Sequence, residues 1–221
     1  MTHNLNKWAV TLGLLVLAPT YLTGCATAAY NIQEKFGIEK RDILVDRVID
    51  VSKSQTEAKE EFEDALEAFR AVVAVDGGEL EQTYDDLNKA YKNADSQAKE
   101  VRSRVASVKR VARDLFKEWE SELNVYSDQN LRRASEAQLR ETEQKYEALT
   151  AKMDAATASM DPVLTVFKDR VLYLKHNLNA RAISALSSET MDIESDVARL
   201  IAEMEQSISA ADAFIQEMGG S

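Results

Sequence analysis

Residues 80–123 read LEQTYDDLNKAYKNADSQAKEVRSRVASVKRVARDLFKEWESEL. Apolar side chains recur along this stretch at alternating steps of four and three: Leu80, Tyr84, Leu87, Tyr91, Ala94, Ala98, Val101, Val105, Val108, Ala112, Leu115 and Trp119. A repeat averaging about 3.5 residues is the period of a helix seam packed on other helices, not the alternation of a strand. Val111, Phe116 and Leu123 widen the stripe, which suits a helix that touches more than one neighbour. At 1.5 Å per residue, residues 79–125 make a rod of about 70 Å.

The same period continues on both sides. Upstream the seam is Leu44, Val48, Val51, Gln55, Ala58, Phe62, Ala65, Phe69 and Val72, with Gln55 as its one break. Val75-Asp76-Gly77-Gly78 then stops the helix, because two glycines supply the left-handed conformations of a cap and a reversal. Downstream, Ser127-Asp128-Gln129-Asn130 is a break rich in capping residues. A third seam runs Leu131, Ser135, Leu139, Thr142, Tyr146, Leu149, Met153, Ala156, Met160, Phe167, Val171, Leu174 and Leu178. Asp161-Pro162 interrupts it, but the seam resumes almost in phase, which predicts one continuous helix kinked at the proline. Ser187-Ser188 opens a fourth segment, with Ile193, Val197, Leu200, Met204, Ile208, Ala211 and Ile215 as its seam.

Short links between long helices force antiparallel neighbours. The expected fold is all-α, an elongated antiparallel helical bundle of about four long helices over residues 39–218, ending in a frayed tail at 219–221. Counting helix rise from each turn puts three helices at the Lys40 end, with the third overshooting the double glycine and the fourth folding back beside residues 153–186. Four helices are thus expected only toward Gly77-Gly78. Composition agrees: Gly and Pro number 7 and 2 in 221 residues, too few for a turn-rich sheet fold, and 45% hydrophobic residues argue against global disorder.

The first residues read as an address. Residues 1–7 carry Lys7 and no acid, residues 8–17 are apolar apart from Thr11, and Leu22-Thr23-Gly24-Cys25 follows. A basic start, an apolar run and small residues before a cleavage point make a secretory leader. The last four residues resemble a bacterial lipobox. That resemblance implies removal of residues 1–24, acylation of Cys25 and a short linker over 25–38. Cys25 is the only cysteine in the chain, so an internal disulfide and a cysteine-based zinc site are both excluded. Ala26 stands where Asp would retain a Gram-negative lipoprotein in the inner membrane. By the same resemblance the protein is expected at the outer membrane, facing the periplasm; inner-membrane anchoring or a free periplasmic form are the alternatives.

Two strings draw notice beyond the seams: Lys40-Arg41-Asp42-Ile43-Leu44-Val45-Asp46-Arg47-Val48 and Leu174-Lys175-His176-Asn177-Leu178-Asn179-Ala180. Together with Gly77-Gly78 and Leu115-Phe116-Lys117-Glu118-Trp119, they resemble an uncharacterised family of bacterial, all-helical, often lipid-anchored envelope proteins catalogued as a domain of unknown function. The resemblance covers nearly all of the chain after the leader and implies no activity.

Physically, Lys40, Arg41, Asp42, Asp46 and Arg47 alternate in sign beside an apolar stripe. They read as an ion-pair layer that sets register, or as a docking patch at the base. The helix-rise count brings Lys175, His176, Asn177 and Asn179 level with Asp76, Gly77, Gly78 and Glu79. There they would satisfy the open carbonyls of the turn or form a contact tip. One His among scattered carboxylates lacks metal-ligand spacing, so no metal and no cofactor are expected. No nucleophile elbow or phosphate-cradling loop is present, and no enzymatic activity is expected. A net charge of −11 disfavours nucleic acid.

The expected function is a non-enzymatic, lipid-anchored scaffold or adaptor of the envelope that contacts an unidentified envelope protein. The long seams also allow a homo-oligomer. The alternative is a module binding lipid or hydrophobic cargo along a methionine-rich side at Met153, Met160, Met191 and Met204.

Overall fold

The computed structural model describes residues 40–75, 79–188 and 190–219. Among them are five helices and no strand: α1 (Lys40–Ala74), α2 (Leu80–Glu122), α3 (Gln129–His176), α4 (Ala180–Ser187) and α5 (Thr190–Gly219). The protein is therefore all-α, as the periodicity predicts. All described residues belong to one compact unit. The leader, Cys25, the linker 25–38 and the last two residues of the tail lie outside the described residues.

Local chemistry sets the helix ends. Asp128 caps α3, its side chain accepting from the backbone N–H groups of Asn130 and Leu131, which satisfies two of the four donors a helix start leaves open. Asn179 caps α4 in the same way, accepting from the N–H of Ala182. Pro162 lies inside α3, and the helix runs through it, as expected. At about 1.5 Å per residue, the 48 residues of α3 extend over roughly 70 Å.

The four long helices form a square. α1 packs on α2 and α5, and α3 packs on the same two; α1 and α3 face each other across one diagonal, α2 and α5 across the other. Every adjacent pair is antiparallel. Between α1 and α2, Lys40 meets Glu118 at 2.5 Å and Gln97 meets Glu57 at 2.8 Å. Between α2 and α3, Lys109 meets Asp154 at 2.6 Å and Arg102 meets Asp161. Between α1 and α5, Lys59 meets Glu205 at 3.0 Å and Arg70 meets Glu194 at 2.6 Å. Between α3 and α5, Lys152 meets Gln206 at 3.0 Å and Lys145 meets Glu217 at 2.9 Å.

The core is the set of seams. All nine positions of the α1 seam are buried, Gln55 included. In α2 the seam is buried from Leu87 to Ala112 except at half-buried Tyr91, and its ends are half-buried. Phe62, Phe69 and Phe167 are its largest fully buried side chains, and Phe116 stacks edge-on against Tyr146 with ring centroids 5.3 Å apart.

Two features differ from the sequence-based expectation. The fourth long helix is not confined to the double-glycine end. Met218 of α5 lines a cleft with Arg41 and Trp119, so four helices continue down to the first turn of α1. The difference arises at residues 177–179. The expected overshoot of the third helix does not form, because α3 ends at His176 and Asn179 starts α4, which crosses onto α1. The chain turns back earlier, and α5 begins and ends lower.

The second difference is the phase of α5. Its buried positions are Ile193, Val197, Leu200, Met204, Ser207, Ala211, Phe214 and Met218, a strict alternation of four and three. Ile208 and Ile215, expected in the seam, are only half-buried. Ser207 takes the core position because the repeat passes through it.

Gln55 and Ser207 are both fully buried, and the Gln55 amide and the Ser207 hydroxyl have no hydrogen-bond partner among the described residues. They sit at one height. Gln55 is one turn below Lys59 and Ser207 half a turn below its partner Glu205. A polar side chain at a seam position fixes register at a cost in stability. Replacing Gln55 with Leu is therefore expected to raise the melting temperature. Relieving unpaired buried groups is worth ~1–3 kcal/mol, and each kcal/mol moves the midpoint of a domain this size by about 2–4 °C. Thermal denaturation followed by circular dichroism reads the change; a lowered midpoint would show that the amide is satisfied and stabilising.

Candidate functional site

At the base, the first string does not form one patch. Lys40 reaches across to Glu118 on α2. Arg41 lies 3.9 Å from neighbouring Asp42 and lines the base cleft. Arg47 bonds Asp50 within its own helix at 3.2 Å, and Asp50 also meets Arg104 of α2 at 3.6 Å. Asp42 and Asp46 are exposed. These are partly exposed pairs, worth little individually, and their effect is on register more than on stability.

The base cleft has a volume of about 130 Å³ and is walled by Arg41, Trp119, Thr142, Lys145, Glu217 and Met218, among others. Lys145 bridges Glu141 at 2.8 Å and Glu217 at 2.9 Å. Its hydrogen bonds to Glu141 and Glu217 raise the Lys145 pKa, and the bond from Lys145 lowers that of Glu141. Each partner thus holds the other in its charged form, so neither is poised to give or take a proton near neutral pH. The Trp119 indole N–H donates to Ser135 Oγ at 2.8 Å, and the Thr142 hydroxyl donates to the Gln138 carbonyl. The polar groups of this cleft are engaged with one another. Sequence reasoning missed the cleft because it kept the fourth helix away from the base.

At the other end, Asp76, Gly77 and Gly78 lie outside the described residues. Glu79 is exposed and borders a shallow depression with Glu81, Gln82 and Asp85, while Thr83 Oγ1 donates back to the Glu79 and Leu80 carbonyls. Lys175 and His176 are exposed on the last turn of α3. Asn177 serves that helix end, its N–H donating to the Leu174 carbonyl and its side-chain amide to the Tyr173 carbonyl at 2.9 Å. Asn179 caps α4. Among the described residues, no hydrogen bond or ion pair joins this string to Glu79. The side-chain amides of the two asparagines are spent on their own helix ends, where the open backbone groups are.

The exposed apolar residues form a pattern that the seams did not announce. The large apolar side chains exposed among the described residues are Val125, Tyr126, Leu131, Leu172, Tyr173, Leu178 and Met191. The first three surround the α2–α3 turn at the base. The other four surround the α3–α4–α5 connection at the opposite end. None lies on the flanks between. Leu131 and Leu178 belong to the predicted third seam, but they extend past the point where neighbouring helices cover it. Leu172, Tyr173 and Leu178 lie in a stretch with Lys168, Arg170, Lys175 and Arg181, where Asp169 is the one acid, whereas Met191 is followed by Asp192 and Glu194.

Met153, Met160 and Met204 are fully buried in the core and Met191 is 79% exposed, so the four methionines do not line one groove. Among the described residues, no group of three or more His, Cys, Asp or Glu side chains is placed to hold a metal ion. No described helix is long and apolar enough to cross a membrane. No curated protein and no solved structure matches the chain significantly. A family model described as a protein of unknown function, DUF2959, matches residues 29–218, almost the whole bundle and the segment leading into it, and the chain belongs to that family.

Proposed function

We propose that the protein is a non-enzymatic, lipid-anchored scaffold of the bacterial cell envelope. It is tethered through Cys25, at the outer membrane on the periplasmic side, and makes protein contacts with its distal end. The observation that carries this reading is the distribution of exposed apolar side chains. The large ones gather at the two ends of a bundle whose flanks expose no large apolar side chain among the described residues. A spacer needs inert sides and distinct ends; an enzyme needs a concave apolar pocket with converging polar groups. The base cleft offers only self-neutralised ion pairs.

The anchor half of the proposal rests on the leader, with Leu22-Thr23-Gly24-Cys25 and Ala26 after it. Acyl chains contribute ~0.8 kcal/mol per buried methylene, so a doubly or triply acylated Cys25 gives lasting attachment. The distal half rests on chemistry. Leu172, Tyr173 and Leu178 among Lys168, Lys175 and Arg181 suit an acidic protein surface with apolar residues of its own.

Growth with a tagged fatty acid is expected to label the wild-type chain and to leave Cys25→Ala unlabelled. Label retained in that variant would overturn the anchor. A photo-crosslinking residue at Tyr173 or Lys175, in living cells, is expected to capture a discrete protein. Lys175→Glu with Arg181→Glu is expected to reduce that capture at least several-fold while circular dichroism stays unchanged. Equal capture by the charge-reversed chain would remove the distal end from the interface.

A further inference from the structure

We infer that the α2–α3 turn at the base is a membrane-contacting surface that seats the bundle on the lipid headgroups beside its own anchor. The inference rests on the Cys25 anchor proposed above. Lys40 is paired with Glu118, so the chain enters the bundle at the end that carries this turn. Residues 26–39 join Cys25 to Lys40, and at ~3.5 Å per residue they reach at most about 50 Å. Once Cys25 is acylated, that reach confines the base to the neighbourhood of the bilayer surface.

The turn is the foremost part of the base. α2 continues to Glu122, one further turn, or about 6 Å, past the level where Lys40 meets Glu118. Beyond it stand Val125, 82% exposed, and Tyr126, 40% exposed; Leu131, 59% exposed, opens α3. Leu123, two residues before Val125, is buried. Two aliphatic side chains and a tyrosine at a protruding turn match the interfacial zone of a bilayer, where tyrosine keeps its hydroxyl wet and its ring apolar.

Charge narrows the partner further. Arg132 and Arg133 follow Leu131, but Glu120, Glu122 and Asp128 stand beside them, and Arg133 is held by Asn130 at 2.7 Å. The Asp128 carboxylate is occupied in capping α3. With two cations against three carboxylates the turn has no cationic excess, which fits a zwitterionic headgroup surface and not a polyanion. The contact would be shallow, adding orientation to an attachment that the acyl chains already provide. The distal apolar group lies at the far end of a bundle about 65 Å long and is out of reach of the same surface.

The test uses the full-length acylated protein in phosphatidylcholine–phosphatidylethanolamine vesicles. With Cys25 acylated, the thiol of a Val125→Cys variant is the one free thiol in the chain and takes an environment-sensitive dye. A Met191→Cys variant carries the same dye at the opposite end. The label at position 125 is expected to shift to the blue, to lose at least threefold in iodide quenching relative to position 191, and to be quenched by nitroxide-bearing lipid. Adding Tyr126→Asp and Leu131→Asp is expected to abolish the lipid quenching while the helical spectrum is kept. Equal iodide access at the two positions in vesicle-bound protein overturns the inference and leaves the anchor standing. So does shielding from iodide without lipid quenching, which would mean that another protein covers the turn. Wild-type protein that does not sediment with vesicles overturns the anchor, and this inference with it.

Discussion

The structure depends on keeping one repeat in phase along helices that are several times longer than their diameter. A straight helix drifts about 20° per heptad from a 3.5-residue repeat. A seam of strict fours and threes holds four such helices together only if they wind slowly around a shared axis. The α1 seam keeps that spacing from Leu44 to Val72 without slipping, and α5 keeps it from Ile193 to Met218. Ser207 shows how strongly the constraint acts. Shifting the seam to Ile208 would bury a larger apolar side chain there. It would also turn Phe214 and Met218 out of register with the core. The sum of the later positions outweighs the one residue.

Electrostatics works within that frame. The pairs linking adjacent helices, such as Lys59–Glu205, Arg70–Glu194 and Lys109–Asp154, are mostly exposed. Each contributes little on its own. Their collective value is directional, since an antiparallel neighbour shifted by one turn would leave several of them unmatched. Gln55 and Ser207 act from inside in the same sense.

How much of this was readable depended on where the information lay. The seams of α1, α2 and most of α3 are written in the residue types themselves, and the passage of α3 through Pro162 followed from the phase on either side. The end of α3 was harder. Nothing apolar marks it, and the signal is Asn177 and Asn179, two residues that stop one helix and cap the next. Running the third seam on past them extends the helix, raises the fourth helix and hides the base cleft. The exposed ends were illegible for a different reason. Val125 has no periodic neighbour to betray it, and Leu131 and Leu178 look like core in the sequence. Only the finite overlap of neighbouring helices leaves them outside.

That finite overlap links fold to function. In an antiparallel bundle, side chains along the middle are covered on the inside and free to be polar on the outside. Those beyond the last shared turn lose their neighbours, whatever their type. An apolar residue there forgoes the roughly 25 cal/mol per Å² that burial would give. A polar residue in its place would serve the isolated fold equally well. Seven large apolar side chains at the two ends, against none on the flanks among the described residues, are thus not explained by folding alone. The two groups also differ in character: the base turn has no excess of cations, while Leu172, Tyr173 and Leu178 at the distal end sit in a mainly cationic stretch. Two chemically different ends on one stiff body, about 65 Å apart, suit a part that joins two unlike surfaces and holds them at a fixed distance.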